Sequence, residues 1–177
     1  IQETKIAEQN ANLYQMNQEL ERLTRTQEIL IEELSEINKA VYRFVPREFF
    51  KLLNKERIVD VKLGDGGQQE MSVLFADIRE FTALSEGMTC QENFNFINSF
   101  LAYMEPAIME NNGFIDKYIG DGIMALFSGG ADDAVKAAIV MLQNLAEFNR
   151  DRAKSGAKPI KIGIGIHTGF LMLGTIG

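Results

Sequence analysis

Residues 114–127 read FIDKYIGDGIMALF, in which two short apolar runs are separated by Gly120-Asp121-Gly122. Short apolar runs joined by a glycine-rich turn predict a β-hairpin, here with strands over residues 114–119 and 123–127. Asp121 lies at the tip of this hairpin. An aspartate next to glycine is often only a turn former, so a chemical role for Asp121 needs support from the rest of the chain.

The sequence before the hairpin predicts a strand followed by a helix. Residues 71–76 are mostly apolar, which is typical of a buried strand, and the preceding Gly64-Asp65-Gly66-Gly67 predicts a turn. Thr89 and Glu92 have the spacing of a capping box, which predicts the start of a helix. The residues expected on the buried face of that helix are Phe94, Ile97, Leu101, Met104 and Ile108.

The sequence after the hairpin predicts a second helix and a last strand. Asp132 and Asp133 favour a helix start, and the isoleucines at 162, 164 and 166 alternate with glycines in a strand. The residues expected to face the core from the second helix are Val135, Ala138, Ile139, Leu142 and Leu145. The order strand, helix, hairpin, helix, strand predicts an α/β sandwich with helices packed on a sheet.

The first 45 residues differ from the rest because they contain no glycine or proline. A heptad pattern places an apolar residue at ten of twelve core positions. The a positions are Ile6, Leu13, Leu20, Gln27, Leu34 and Val41, and the d positions are Gln9, Met16, Leu23, Leu30, Ile37 and Phe44. A stripe this narrow predicts a parallel dimeric coiled coil over residues 1–45, with a solvated helix on its own domain as the alternative. Residues 46–177 then form the second domain.

Composition narrows the class of protein. The 177 residues include 18 basic and 25 acidic ones, for a formal net charge of −7, which disfavours a nucleic acid or an anionic membrane surface as partner. No apolar run approaches the roughly 20 residues that span a bilayer, and the single Cys90 cannot form an internal disulfide. We therefore expect a cytoplasmic location, alone or as the cytoplasmic part of a larger sensor protein. Since the chain begins at Ile1 rather than methionine, we expect sequence upstream of it.

A second aspartate, Asp77, directly follows the strand over residues 71–76. An aspartate at a strand end is often only a helix cap, so this position alone is also ambiguous. Adjacent strands of one sheet could, however, bring Asp77 and Asp121 to the same edge. Two carboxylates beside an exposed helix N-terminus are what a polyphosphate bound to Mg²⁺ requires. The spacing by itself does not decide between the two interpretations.

Three segments resemble the signatures of class III nucleotidyl cyclases. Residues 74–82, LFADIREFT, are similar to the first metal-binding segment of that family, and residues 114–125 are similar to the second. A third family segment resembles residues 162–169 together with residues 174–177. The resemblance covers about residues 46–177 and implies the N-terminal part of a ferredoxin-like α+β catalytic domain. The preceding helix resembles the signalling helix that joins sensor modules to such cyclases.

The resemblance implies an adenylate cyclase, which converts ATP to 3′,5′-cyclic AMP and pyrophosphate. It gives Asp77 and Asp121 the catalytic role of holding two divalent ions, Mg²⁺ or Mn²⁺, with help from the Ile78 carbonyl. These ions favour loss of the ribose 3′-hydroxyl proton and hold the triphosphate. The resemblance also implies that backbone N–H groups around Phe81 and Thr82 bind the β- and γ-phosphates.

The resemblance places Lys117 at the position that reads the base. Family adenylate cyclases carry lysine there, whereas guanylate cyclases typically carry glutamate. An ammonium group can donate to N1 of adenine, while the donors of guanine suit a carboxylate. Lys117 therefore implies ATP as substrate and leaves a guanylate cyclase as the alternative enzyme. A diguanylate cyclase is disfavoured, because Ile119-Gly120-Asp121-Gly122 differs from the turn sequence of that related fold.

The resemblance further implies a homodimer whose sites lie between two subunits. Asp77 and Asp121 would come from one chain and Lys117 from the other. Family members continue past Gly177 with a second base-reading residue, an asparagine and an arginine, so we expect the 177-residue chain alone to be inactive. An upstream sensor domain is also expected. Glu80, where many relatives have a small residue, should point to solvent or meet a cation. The alternative outside the enzymes is a non-catalytic cyclase-like module for dimerisation or regulation.

Overall fold

A computed structural model of the protein describes residues 2–42 and 45–175, which belong to two compact units over residues 1–45 and 46–177. The first unit is one long helix, α1 (Gln2–Val41). Its core heptad residues Leu13, Met16, Leu20, Leu23, Leu30, Leu34 and Ile37 are 52–69% exposed. The heptad residue Phe44 and the side chains of Ile6 and Gln9 lie outside the described part. The coiled coil therefore stays a prediction.

The second unit is an antiparallel sheet with helices. Its elements are α2 (Arg47–Leu52), a short 3-10 turn (Ile58–Asp60), β1 (Gly66–Ile78), α3 (Phe81–Ser85), α4 (Cys90–Met109), β2 (Gly113–Ile119), β3 (Gly122–Phe127), α5 (Ala131–Lys154) and β4 (Ile162–Gly174). The strands lie in the order β2-β3-β1-β4, and every pairing is antiparallel. This arrangement is ferredoxin-like and confirms the predicted fold class. None of the described helices is both long and apolar enough to cross a bilayer.

Two local predictions are confirmed at the level of individual bonds. The hairpin forms from β2 and β3, with Ile119 paired to Gly122 across the turn. The capping box at the start of α4 is complete, because the Glu92 N–H donates to Thr89 Oγ1 over 3.2 Å and the Thr89 N–H donates to Glu92 Oε2 over 2.8 Å. The Thr89 N–H and the Thr89 hydroxyl, which donates to Glu92 Oε2 over 2.7 Å, both stabilise the ionised carboxylate and lower the pKa of Glu92.

The predicted buried faces of α4 and α5 are partly wrong. Phe94 is 64% exposed, and Val135, Ile139 and Leu142 are 47–52% exposed. The side chains that fill the core are Phe96, Phe100, Met104, Ala107 and Ile108 from α4, with Ala134, Ala137, Met141, Leu145 and Phe148 from α5. Both helices are apolar on more than one side, so periodicity could not choose between the sides. The small alanines on the buried sides let the helices approach the sheet closely. The larger aromatic rings fill the space that remains between the helices and the sheet.

β1 is longer than the predicted strand over residues 71–76, because β4 pairs with it along its whole length from Gly66 to Ile78. The predicted turn at residues 64–67 is therefore right only in its first half. Gly64 has a positive φ of 86°, whereas Gly66 already belongs to the strand. A Cβ on Gly66 would lie 3.0 Å from the Leu173 carbonyl oxygen, so this close pairing needs a glycine.

The two faces of the sheet are covered by different helices. Helices α4 and α5 bury one face, into which Leu74, Ala76 and Ile78 of β1 project. On the other face, α2 packs against a smaller buried cluster formed by Met71, Phe114, Leu126 and Leu173. Beyond this cluster, Phe75 is 49% exposed. We call the part of this face that carries Phe75 and Asp77 the open face.

We predict that α1 dimerises through its a and d positions. Replacing Leu23 with aspartate puts a charge into the apolar seam, at a cost of several kcal/mol when it is buried without a partner. Sedimentation equilibrium at micromolar concentration should then show a weakened dimer. The control is Ile29→Asp, which lies outside the a and d positions and is similarly exposed, at 55% against 58% for Leu23. A monomeric unaltered protein, or equal effects of both changes, would contradict the prediction.

Candidate active site

Asp77 and Asp121 come together where β1 ends. Asp77 is the penultimate residue of β1, and Asp121 lies in the turn between β2 and β3. The pairing of β1 with β3 extends to Ala76 and Ile123, which brings the hairpin tip beside the end of β1. The Ile78 N–H donates to Asp121 Oδ2 over 3.1 Å. Two residues 44 positions apart in sequence thus become neighbours at one edge of the sheet.

The two carboxylates affect each other electrostatically. Burial raises the pKa of the Asp121 carboxyl, and the adjacent Asp77 carboxyl raises this pKa further, while backbone N–H groups including that of Ile78 lower it. A divalent cation would offset the repulsion between the two groups when both are ionised. Carboxylate and carbonyl oxygens are ligands that Mg²⁺ and Mn²⁺ prefer, so this donor set fits such an ion. Within the described residues, no cluster of three or more acidic, histidine or cysteine side chains is found.

β4 leaves free space next to the carboxylates. In the register of β1 with β4, Asp77 lies opposite Gly163 and Phe75 lies opposite Gly165. A Cβ placed on Gly165 would have no described heavy atom within 4 Å apart from its chain neighbours. Directly opposite residues of an antiparallel pair project to the same face. The open face therefore has a free strip over Gly165, opposite Phe75 and near Asp77, where a ligand can approach the sheet.

Lys117 lies on the same face, but two strands away from Asp77. It pairs with Met124 of β3, which in turn pairs with Phe75 of β1, and Phe75 and Asp77 share a face by alternation. Two strand spacings separate β2 from β1, which is about 10 Å. The Lys117 Nζ forms an ion pair with Asp116 Oδ2 at 3.1 Å, and the lysine side chain is 59% exposed. Lys117 is thus available for contact with a ligand or with another subunit.

Phe81 and Thr82 form the start of α3, just beyond the end of β1. The Phe81 side chain is held by the core, where its ring stacks on that of Phe96 at a centroid distance of 6.3 Å. Thr82 is exposed. The first N–H groups of a helix have no acceptor within the helix, so those of Phe81 and Thr82 can donate to another group. The structure places these donors on the segment that follows Asp77.

Glu80 has an unusual backbone conformation for its residue type. Its φ of 60° and ψ of 29° lie in the left-handed region, and its side chain makes no capping hydrogen bond to α3. The side chain is exposed, as expected from the sequence. A residue with a Cβ is strained in this conformation, whereas glycine is not. A glycine would therefore fit this backbone better than Glu80 does.

The second unit is thus a ferredoxin-like domain with two carboxylates, those of Asp77 and Asp121, at one edge of its sheet. The sequence model of the adenylate and guanylate cyclase catalytic domain matches residues 65–177. The chain therefore belongs to this family, the class III nucleotidyl cyclases.

Individual relatives agree with this assignment. An adenylate cyclase of Anabaena cylindrica is 46% identical over 140 residues, which are 76% of this chain and 28% of that protein. The crystal structure of the guanylyl cyclase Cya2 is 34% identical with a TM-score of 0.58, covering 63% of this chain and 60% of that one. A bacterial light-regulated adenylyl cyclase, 21% identical, shares the fold with a TM-score of 0.71 over 86% of this chain and 45% of that one. The chain spans less than a third of the Anabaena relative.

The strain at Glu80 leads to a prediction about stability. Glu80→Gly should raise the free energy of unfolding by up to about 1 kcal/mol, because relief of the left-handed strain exceeds the entropy cost of a glycine. The matched control is Glu86→Gly at the other end of α3, where φ is −57° and ψ is −26°. This glycine should lower the free energy of unfolding by about 0.5–1 kcal/mol. Urea denaturation measures both, and equal destabilisation by the two changes would refute the strain argument.

Proposed function

We propose that the chain is part of an adenylate cyclase that converts ATP to 3′,5′-cyclic AMP and pyrophosphate. The observation that carries this proposal is the juxtaposition of Asp77 and Asp121 beside the free strip of the open face. The similarity to an adenylate cyclase of Anabaena cylindrica supports it. Because the chain covers only part of that relative, the activity is argued from the site.

The proposed reaction is an intramolecular displacement at phosphorus. The ribose 3′-oxygen forms a bond to the α-phosphorus, the bond from that phosphorus to the oxygen of the leaving pyrophosphate breaks, and the hydroxyl proton is released. Asp77, Asp121 and the Ile78 carbonyl would hold two divalent ions, Mg²⁺ or Mn²⁺. These ions supply positive charge to the triphosphate and acidity at the attacking hydroxyl. The protein itself would hold the carboxylates in place, because Asp77 lies on the paired strand β1 and Asp121, in the hairpin turn, accepts a hydrogen bond from the Ile78 N–H.

Other residues of the site would orient the nucleotide. The backbone N–H groups of Phe81 and Thr82 would donate to the β- and γ-phosphates, where negative charge accumulates as pyrophosphate leaves. The Lys117 ammonium would donate to N1 of adenine and thereby select ATP over GTP. Similarity to the guanylyl cyclase Cya2 makes GTP the alternative substrate.

A homodimer would complete the site. On the open face, Phe75 is 49% and Ile119 is 56% exposed, which favours a partner on this face. In a two-fold dimer, Lys117 of one chain can serve the carboxylates of the other, even though only four residues separate it from Asp121 in sequence. The helix α1 would hold the two chains together and connect them to an upstream sensor. We expect this chain alone to bind the nucleotide but to form almost no product.

The first test of the proposal is metal-dependent nucleotide binding. Asp77→Asn and Asp121→Asn each remove a charge from the site, and each should weaken binding of ATP in the presence of Mn²⁺ about tenfold or more. Isothermal titration calorimetry on the chain measures this, with Asp132→Asn at the exposed start of α5 as control. If the unaltered chain bound ATP no better with Mn²⁺ than without it, a non-catalytic module would be favoured instead.

The second test concerns the base. Lys117→Glu replaces the donor for N1 of adenine by an acceptor, and should weaken binding of Mn²⁺–ATP about 10- to 100-fold relative to Mn²⁺–GTP. Lys136→Glu, on α5, makes the same change of charge on another exposed lysine and should not alter the ratio. A preference of the unaltered protein for GTP would show that the guanylate cyclase is the right assignment.

A further inference from the structure

The Arg79 side chain lies flat on the backbone of Gly163. The backbone N–H of Arg79 donates to the Lys161 carbonyl over 2.8 Å, which continues the pairing of β1 with β4 by one residue. A Cβ built on Gly163 would lie 2.5 Å from the Arg79 Cζ and 2.6 Å from its Nε, closer than real atoms approach. The guanidinium group therefore occupies the space that a side chain at position 163 would fill. The pairing register of β4 is what reveals this contact.

This position brings the guanidinium group next to the carboxylates. Gly163 is directly opposite Asp77, so the missing Cβ of Gly163 would project to the same face as the Asp77 side chain. Asp121 approaches Asp77 from the side of β3, whereas Arg79 lies on the side of β4. The open face thus presents two carboxylates followed by a guanidinium group, in a row across the end of the sheet.

The guanidinium group has no partner within residues 2–42 and 45–175, and the side chain is exposed. Other arginines of this unit are engaged, since Arg57 forms an ion pair with Asp60 at 2.9 Å and Arg150 forms one with Glu147 at 3.3 Å. The Arg79 side chain packs on the backbone of Gly163, while its hydrogen-bond donors stay available. Such an arrangement suits an external anion.

We propose that Arg79 binds the phosphate chain of the nucleotide and that Gly163 is the residue that lets it do so. The proposal deepens the proposed function and depends on it for the identity of the ligand. Parallel N–H donors of a planar guanidinium match the oxygens of a phosphate group, and both are charged. Arg79 lies between Asp77 and Phe81 in sequence, and its guanidinium group lies beside Asp77 over Gly163, so a phosphate chain held at the carboxylates is within its reach.

The test uses inorganic tripolyphosphate with Mg²⁺ as the probe, measured by titration calorimetry on the whole chain. Arg79→Gln should weaken this binding about 10- to 100-fold, the usual loss for hydrogen bonds between charged groups. Arg79→Lys should restore part of it, since charge remains but the paired donors do not. Binding of Mn²⁺ alone should be unchanged in Arg79→Gln. A loss of Mn²⁺ binding would instead mean that Arg79 acts through Asp77, and would overturn the proposal.

The role of Gly163 is tested separately. Gly163→Ala should displace the guanidinium group and weaken tripolyphosphate binding by about the same factor as Arg79→Gln. It should have no additional effect in a chain that already carries Arg79→Gln, because the two changes remove one interaction. Gly169→Ala, six residues along the same strand, is the matched control and should bind as the unaltered chain does, because a Cβ there would meet only His167 Nε2 at an ordinary contact distance of 3.5 Å.

The results of these binding experiments distinguish the role of Arg79 from the proposed cyclase activity. Tripolyphosphate binding within twofold of the unaltered chain in Arg79→Gln would overturn the role of Arg79 and leave the cyclase assignment intact. Loss of binding in Arg79→Gln, in a protein that forms no cyclic nucleotide with any added partner chain, would support Arg79 and count against the cyclase. No binding of Mg²⁺–tripolyphosphate by the unaltered chain would overturn both.

Discussion

The pairing of β1 with β3 on one side and β4 on the other is the constraint on which the rest of the structure depends. Leu74, Ala76 and Ile78 are buried under the helices, so the residues between them must lie on the open face. A slip of one residue would bring Asp77 into the apolar core, where an unpaired carboxylate is very costly. The hydrophobic core thus sets the position of the candidate catalytic carboxylate.

The hydrogen bond from the Ile78 N–H to Asp121 extends this constraint to the second carboxylate. The pairing of β1 with β3 stops at Ala76 and Ile123. The next N–H of β1 that points toward β3, that of Ile78, therefore needs another acceptor. Asp121 provides it from the hairpin turn. One contact therefore satisfies the backbone at the sheet edge and fixes the distance between the two acidic groups. Removal of the Asp121 carboxylate therefore changes both the sheet edge and the electrostatics of the site, whereas removal of the Asp77 carboxylate changes the electrostatics alone.

Local sequence signals predict some of these features and not others. The hairpin and the capping box at Thr89 follow from residues that are close in sequence, and both form as expected. The helix faces do not, because α4 and α5 each carry two apolar sides and only contact with the sheet selects one. The length of β1 depends on β4, which begins 84 residues after Ile78. The position of Lys117 relative to Asp77 likewise depends on the order of the strands.

The contact between Arg79 and Gly163 has a consequence for the evolution of this domain. Arg79 directly follows β1 and Gly163 lies on β4, yet the Arg79 side chain occupies the volume that a side chain at position 163 would need, so only one of the two can be present in this conformation. Among relatives, an arginine at the first position should accompany a glycine at the second, and a larger residue on β4 should accompany loss of that arginine. Hybrid domains that combine β1 of one relative with β4 of another would separate the pair, and recombination should therefore be tolerated best where both strands come from the same parent.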